Sequence, residues 1–393
     1  MSDYRTLRPY TRPVKRSTDK HILIVDDQPR MRDMIRVMLK NNGYVHVTFA
    51  ESGNHALRLI AAHPMDVVVT DWNMPNMTGI ELLMRIKGDP NLFTMPVMMI
   101  SDERTTDKVL FAVEEGIDVF LVKPFNERDL IRGVETALEK SEPKDALEVR
   151  IIEMRRLKLS KDFHKALELG AEILKVRKSA KVAMLTCECL YQLEQYDRAI
   201  SMMADTDAKG RSSQQTNLLG KIHLSLGQYS QGIEALEAAV AMNPLNHDRK
   251  IDLAGAYFAA GKAEDAERVI LGIVNAQPTD LNLVGIAQLY LDQGLVDKAG
   301  QYLRQTVDPI KETVPVFNNY AVALRQADRL EDATDIYRKC LKIDPGSDVL
   351  HYNLAVLYAK SGKLKEARED ARNALQLNPD NPYAKELLEK LGG

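Results

Sequence analysis

Five side chains able to handle a phosphoryl group each follow a short apolar run in the first third of the chain. Asp26 and Asp27 come after Ile22 to Val25, Asp71 after Val67-Val68-Val69-Thr70, Ser101 after Pro96 to Ile100, and Lys123 after Val119 to Val122. A lone aspartate at such a place opens a turn. That plain reading of Asp71 gives way because other acids reach the same edge. Three carboxylates drawn together repel unless a cation neutralises them, and oxygen-only donors suit Mg²⁺, which keeps several of its waters. With the metal and Lys123 on two equatorial oxygens and the Ser101 hydroxyl on a third, Asp71 becomes a phosphoryl acceptor, and the product is an aspartyl phosphate.

The elements that must position these groups alternate. Ile22 to Val25, Val45 to Phe49, Val67 to Thr70, Pro96 to Ile100 and Val119 to Val122 read as strands. Between and after them, Met31, Met34, Ile35, Met38 and Leu39, then Gly53 to Ala62, Ile80 to Lys87, Asp107 to Glu115 and Glu127 to Lys140 read as helices. Five β/α units of this length predict an α/β fold, a doubly wound five-stranded parallel sheet. All strand C-termini of a parallel sheet lie on one side, so residues about a hundred positions apart meet at one crevice.

These residues resemble the receiver domain of two-component response regulators, close to the single-domain chemotaxis regulators. The resemblance covers residues 20–141 and is carried by Val25-Asp26-Asp27, Asp71-Trp72-Asn73-Met74-Pro75-Asn76-Met77, Ser101 and Lys123-Pro124. It implies that Asp71 is the phosphoacceptor, that Asp27 and Asp71 bind Mg²⁺ directly, that Asp26 acts through water and that Asn73 gives its backbone carbonyl. It also implies a histidine kinase or phosphotransfer protein as donor, with the receiver catalysing its own Mg²⁺-dependent chemistry. Ser101 and Phe120 fall at the paired switch positions of that family. Phe120 lacks a phenolic hydroxyl, so its switch works by burial of the ring, with a plain core role as the alternative. Thr78 stands where an acid is common, outside the phosphoryl pocket. Asn73 and Glu103 resemble the pair found in fast-dephosphorylating chemotaxis regulators, which implies a short-lived phosphoryl group.

After a polar linker at residues 142–146 the strands stop and the helices repeat. A small residue recurs at Ala166, Ala199, Gly232, Ala266, Ala299, Ala333 and Ala367, at intervals of 33, 33, 34, 33, 34 and 34. Such a period marks a solenoid of helix pairs. Gly220, Ala254, Ala287, Ala321 and Ala355 lie twelve positions before their repeat's marker, where paired helices cross closely. Tyr257, Tyr290 and Tyr358 follow three later to fill between repeats, and Pro244, Pro278, Pro345 and Pro379 stop second helices. Leu218-Leu219-Gly220, Gly227-Gln228-Tyr229 and Met242-Asn243-Pro244 resemble the tetratricopeptide repeat, so residues 147–393 read as an all-α tetratricopeptide-repeat solenoid of about seven repeats with a C-terminal capping helix. The first two repeats are degenerate.

The concave face of such a solenoid carries its ligand. Here it offers Asn217, Lys221, Ile251, Phe258, Val284, Gln288, Leu291, Asn318, Val322, Tyr352 and Val356, a largely apolar stripe. An extended segment or amphipathic helix of another protein, so far unknown, suits it. The alternative is packing on the receiver or on a second copy, which leaves a homodimer open.

Composition sets further bounds. With 53 basic and 56 acidic residues the net charge is -3, which disfavours nucleic acid as a partner, and the repeats leave no room for a DNA-reading domain. The chain shows no apolar run of membrane-spanning length, no signal-peptide core, and three cysteines without metal spacing. A cytoplasmic location is expected. Residues 1–19 form a basic arm with Arg5, Arg8, Arg12, Lys15 and Arg16. The functional expectation is a non-enzymatic phosphoacceptor regulator whose output is protein binding. Its alternative is a phosphate sink or competitor for phosphotransfer to another regulator.

Overall fold

The computed structural model describes residues 17–102, 105–204, 210–276, 278–306 and 309–392. Residues 1–16 of the predicted arm, and Glu103, lie outside the described residues; Ser17–Asp19 form one 3-10 turn.

The alternation read from the sequence is present. Strands β1 (Ile22–Val25), β2 (Val47–Ala50), β3 (Val67–Asp71), β4 (Val97–Ser101) and β5 (Val119–Val122) form one parallel sheet in the order β2-β1-β3-β4-β5. Helices α1 (Pro29–Asn41), α2 (Gly53–Ala62), α3 (Gly79–Gly88), α4 (Thr106–Glu114) and α5 (Glu127–Ser141) connect and cover it. The three central strands are wholly buried, which explains their continuous apolar runs in place of alternation. Each face has its own core. Leu23, Val25, Val68, Val97 and Met99 pack with Leu82, Leu83 and Ala112 on one side. Ile22, Ile24, Val69, Met98 and Ile100 pack with Ile35, Leu39, Leu130 and Val134 on the other.

Thr78, the departure from the expected acid, has a structural task. It caps α3 in a reciprocal box with Glu81, satisfying backbone N–H groups that a helix start leaves open.

Among the described residues fifteen helices follow: α6 (Ala146–Leu159), α7 (Phe163–Val176), α8 (Ala180–Gln192), α9 (Tyr196–Ala204), α10 (Ser213–Ser225), α11 (Tyr229–Met242), α12 (His247–Ala259), α13 (Ala263–Val274), α14 (Asp280–Asp292), α15 (Val296–Leu303), α16 (Val314–Gln326), α17 (Leu330–Ile343), α18 (Asp348–Lys360), α19 (Leu364–Leu377) and α20 (Pro382–Lys390). They make seven pairs and a terminal helix. The small residues expected at helix crossings, Gly220, Ala254, Ala287, Ala321 and Ala355, are all buried. Helices α11, α17 and α19 end two residues before Pro244, Pro345 and Pro379.

A further regularity lies in the turns. Lys161, Glu194, Gly227, Gly261, Gly294, Asp328 and Gly362 all have φ between 56° and 74°, and each joins the two helices of one pair. Four are glycine, which reaches this left-handed region without strain; Lys161, Glu194 and Asp328 carry a Cβ there.

The chain forms two compact units that divide inside α10 and not at the polar linker. One comprises the sheet domain, the helices up to Ile222 and residues 242–245; the other comprises residues 223–241 and 246 onward. In the second unit one core runs from Ala254 to Ala367 through Tyr290, Tyr320, Tyr337 and Tyr358, and a smaller one gathers Ile233, Leu236, Leu253 and Ala256. Tyr290 stacks on Tyr302 at 5.5 Å between ring centroids and donates to Glu267 at 2.7 Å.

Candidate functional site

Asp71 ends β3 and is 6% exposed. Both its oxygens are engaged: Oδ1 accepts from Lys123 Nζ at 2.6 Å, and Oδ2 from the Asn73 amide at 2.8 Å. Register explains the meeting of Asp71 and Lys123. Asp71 pairs with Ile100 of β4, Ser101 pairs with Val122 of β5, and the Lys123 amide donates to the Ser101 carbonyl at 2.8 Å. The Lys123–Pro124 peptide is cis.

The turn after Asp71 is closed by Gly79, whose amide donates to the Trp72 carbonyl at 2.9 Å. A Cβ at Gly79 would lie 2.0 Å from the Asp71 carbonyl oxygen, so only glycine fits there.

Asp26 is 3% exposed and takes a hydrogen bond from the Gln28 amide at 2.8 Å, while Asp27 is exposed. Burial, and then the charges of Asp71 and Asp27, raise the Asp26 carboxyl above its ordinary value, against the pull of the Gln28 amide and Lys123. Burial alone would lower the Lys123 ammonium; the hydrogen bond and charge of Asp71, with Asp102 and Asp26, carry it above the usual lysine value. The edge thus holds several acids and one strongly committed cation.

Among the described residues no three acidic, histidine or cysteine side chains form a ready-made metal cage. The convergence of Asp26, Asp27 and Asp71 expected from the sequence is therefore looser than a closed site, because Asp71 is held by Lys123 and Asp26 by a backbone amide. The donor set still suits Mg²⁺. It is all oxygen, its like charges already repel around Asp26, and Mg²⁺ fills most of its shell with water.

Ser101 is buried at 1% exposure at the end of β4. Phe120 is half-buried on β5 and packs edge-on against Trp72, with ring centroids 6.1 Å apart. Lys108 Nζ from α4 lies 5.6 Å from the same Trp72 ring. Asn73 is exposed. Glu103, expected to act with Asn73, lies outside the described residues.

In the repeats, Val284 is corrected. At 5% exposure it belongs to the core, because α14 is packed on both sides by α12 and α16. The other residues of the expected stripe are half-buried: Asn217 and Lys221 on α10 in the first unit, and Ile251, Phe258, Gln288, Leu291, Asn318, Val322, Tyr352 and Val356 in the second. Several have internal partners. Phe258 packs edge-on against Tyr290, Asn318 accepts from Asn353 at 2.9 Å, and Gln288 accepts from Asn319 at 3.1 Å.

Sequence reasoning missed one carboxylate in the sheet domain. Glu114, at the end of α4, accepts from Ser213 Oγ and from Asn243 Nδ2, about a hundred residues away. An acid in an exposed-looking helix turn gives no periodic signal of such a partner.

The model of the response regulator receiver domain matches residues 22–135. The tetratricopeptide repeat model matches residues 223–285 and 324–391, and a model described as anaphase-promoting complex, cyclosome, subunit 3, matches residues 160–239. Chemotaxis protein CheY of Pseudomonas aeruginosa is 38% identical over 119 residues, covering 30% of this chain and 96% of that protein. Chemotaxis protein CheY-3 of Vibrio cholerae is 37% identical over 119 residues, covering 30% of this chain and 92% of that protein. The solved structure of Vibrio cholerae chemotaxis protein CheY4 is 31% identical, with a TM-score of 0.29, and covers 30% of this chain and 99% of that one.

Proposed function

The chain belongs to the response regulator receiver family, carrying tetratricopeptide repeats behind its receiver, and from that premise we propose that it accepts a phosphoryl group on Asp71 and presents its repeats to a protein partner accordingly. The observation that carries this reading is the seat of Asp71, a nearly buried strand-end carboxylate with one oxygen on Lys123 and the other on the Asn73 amide.

The donor is a phosphohistidine of a histidine kinase or phosphotransfer protein. An Asp71 oxygen attacks phosphorus as the N–P bond breaks, and the leaving imidazole takes up a proton. Lys123 moves from the carboxylate to an oxygen of the incoming group, and the Ser101 hydroxyl donates to another. Asp26, Asp27, Asp71 and the Asn73 carbonyl would hold Mg²⁺. Bound there, the cation supplies charge neutralisation for the transferring group. Phe120, resting on Trp72, is the ring that moves with Ser101 when the phosphorylated state is favoured. The functional segments are the arm at 1–19, the receiver at 20–141, the linker at 142–146 and the repeats at 147–393, whose ligand is a segment of another protein.

Incubation of the full chain with a labelled phosphodonor and Mg²⁺ tests this. Label should enter the wild type and be absent from Asp71→Asn, and phosphorylation should change partner capture by the repeats. Label on Asp71→Asn equal to wild type rejects the site. Label on wild type with unaltered partner binding leaves the phosphate-sink alternative.

A further inference from the structure

The first repeat is charged unlike the rest of the chain. Residues 150–181 hold ten basic and four acidic side chains, whereas the whole chain holds 53 and 56. Part of that excess is answered locally: Arg150 pairs with Glu172, Lys158 with Glu188 and Lys165 with Asp162. Much of the remainder gathers in one place.

That place is the junction of α7 and α8, Lys175-Val176-Arg177-Lys178-Ser179-Ala180-Lys181. Pro244, Pro278, Pro345 and Pro379 follow the second helices of later repeats, where a solenoid needs a helix to stop. This junction has no proline and four cations. All four are exposed, and among the described residues Lys175, Lys178 and Lys181 make no ion pair, while Arg177 reaches Asp145 only at 4.0 Å. Helix α8 does not need them to begin, because the Ser179 side chain accepts from the Val182 amide and caps it. The scaffold does not account for these cations.

Val176, set among them, is 73% exposed, more than any other large apolar side chain of the described residues. Arg155 of α6 adds a further positive charge near Lys181, with its guanidinium 5.2 Å from the centroid of the Phe93 ring. Partial enclosure, and then the charge of Arg155, hold the Lys181 ammonium below its ordinary value against the pull of Glu148 and Asp118. Cations crowded together gain more from an added anion than cations already paired.

We propose that the α7–α8 junction is a docking surface for an acidic segment of another protein, whose carboxylates meet Lys175, Arg177, Lys178 and Lys181 and whose apolar side chain covers Val176. The surface shares no residue with the stripe from Asn217 to Val356, and it does not depend on Asp71. A nucleic-acid backbone offers nothing apolar to cover Val176, and stacking of bases needs aromatic side chains, which the junction lacks. A membrane surface suits a broad apolar face, and one valine is not such a face.

The full chain is titrated against a fluorescein-labelled peptide of glutamates around a central leucine, and anisotropy is followed. Binding should saturate. Raising the salt from about 0.1 M to about 1 M, which cuts the screening length from about 10 Å to about 3 Å, should weaken it about tenfold. Lys178→Glu with Lys181→Glu should also weaken it about tenfold or more, and glutamate suits the first turn of α8, so the helix keeps its start. Lys385→Glu, an exposed reversal on α20, should leave the affinity within about twofold of wild type. If the double variant loses helical circular dichroism, Lys178→Glu alone decides. Peptide binding that the charge-reversed variant keeps, or no binding at all, overturns the proposal. Tighter binding of a labelled single-stranded RNA or of phosphatidylserine vesicles, lost in the same variant, overturns the acidic protein segment as the occupant.

Discussion

Lys123 sits against the Asp71 carboxylate, and on the proposed mechanism it would move from there to the group that Asp71 receives. Replacing it by alanine removes a preorganised cation from a nearly buried site, and such donors are worth about a hundredfold or more in rate. Lys123→Ala should therefore slow incorporation of label from a small phosphodonor by about a hundredfold while leaving the far-UV circular dichroism unchanged. Retention of wild-type rate would remove Lys123 from the mechanism. Asp26, Asp27, Asp71, Ser101 and Lys123 were legible in the sequence because each follows an apolar run, and a parallel sheet brings such ends together. Glu114 was not. Its partners, Ser213 and Asn243, are set by how helices pack, and nothing in the residues around it announces that contact. Val284 misled for a related reason: periodicity places a residue on a helix face but cannot say whether another helix covers that face.

At the scale of elements, the seven left-handed turns recur at the spacing of the alanine and glycine markers. Where glycine occupies the turn no strain arises, but Glu194 is exposed, non-glycine and held at φ 56°. A side chain there costs about 1 kcal/mol, less whatever glycine loses in the unfolded chain. Glu194→Gly should accordingly raise the denaturant midpoint of the first unit, by up to about 1 kcal/mol, and a lower midpoint would contradict the turn geometry. The period itself was plain from Ala166 onward. The turn conformations were not, since Lys161 and Glu194 are residues that no local rule assigns to positive φ, and Asp328 is one that only tolerates it.

Across the whole molecule, the cysteines distinguish the two compact units. Cys187 and Cys189 are buried in the first and Cys340 in the second, and burial pushes all three thiols up to about 11. The thiol form is thus favoured in the folded state. The stability this adds is complete below the ordinary thiol range and is lost as pH rises through it toward 11. At pH 8 a thiol reagent should leave the native chain unmodified, and in rising denaturant should label two thiols as the first unit opens and one as the second does. Rapid labelling of the native chain would contradict their burial. The hydrogen bonds from Ser213 and Asn243 to Glu114 tie the receiver to the repeats that follow it. A ligand that drew either residue away would leave a carboxylate on α4 without its donors, at a cost felt inside the receiver. On the proposed function the repeats would then be a second input as well as an output, since coupling between two sites has no preferred sense.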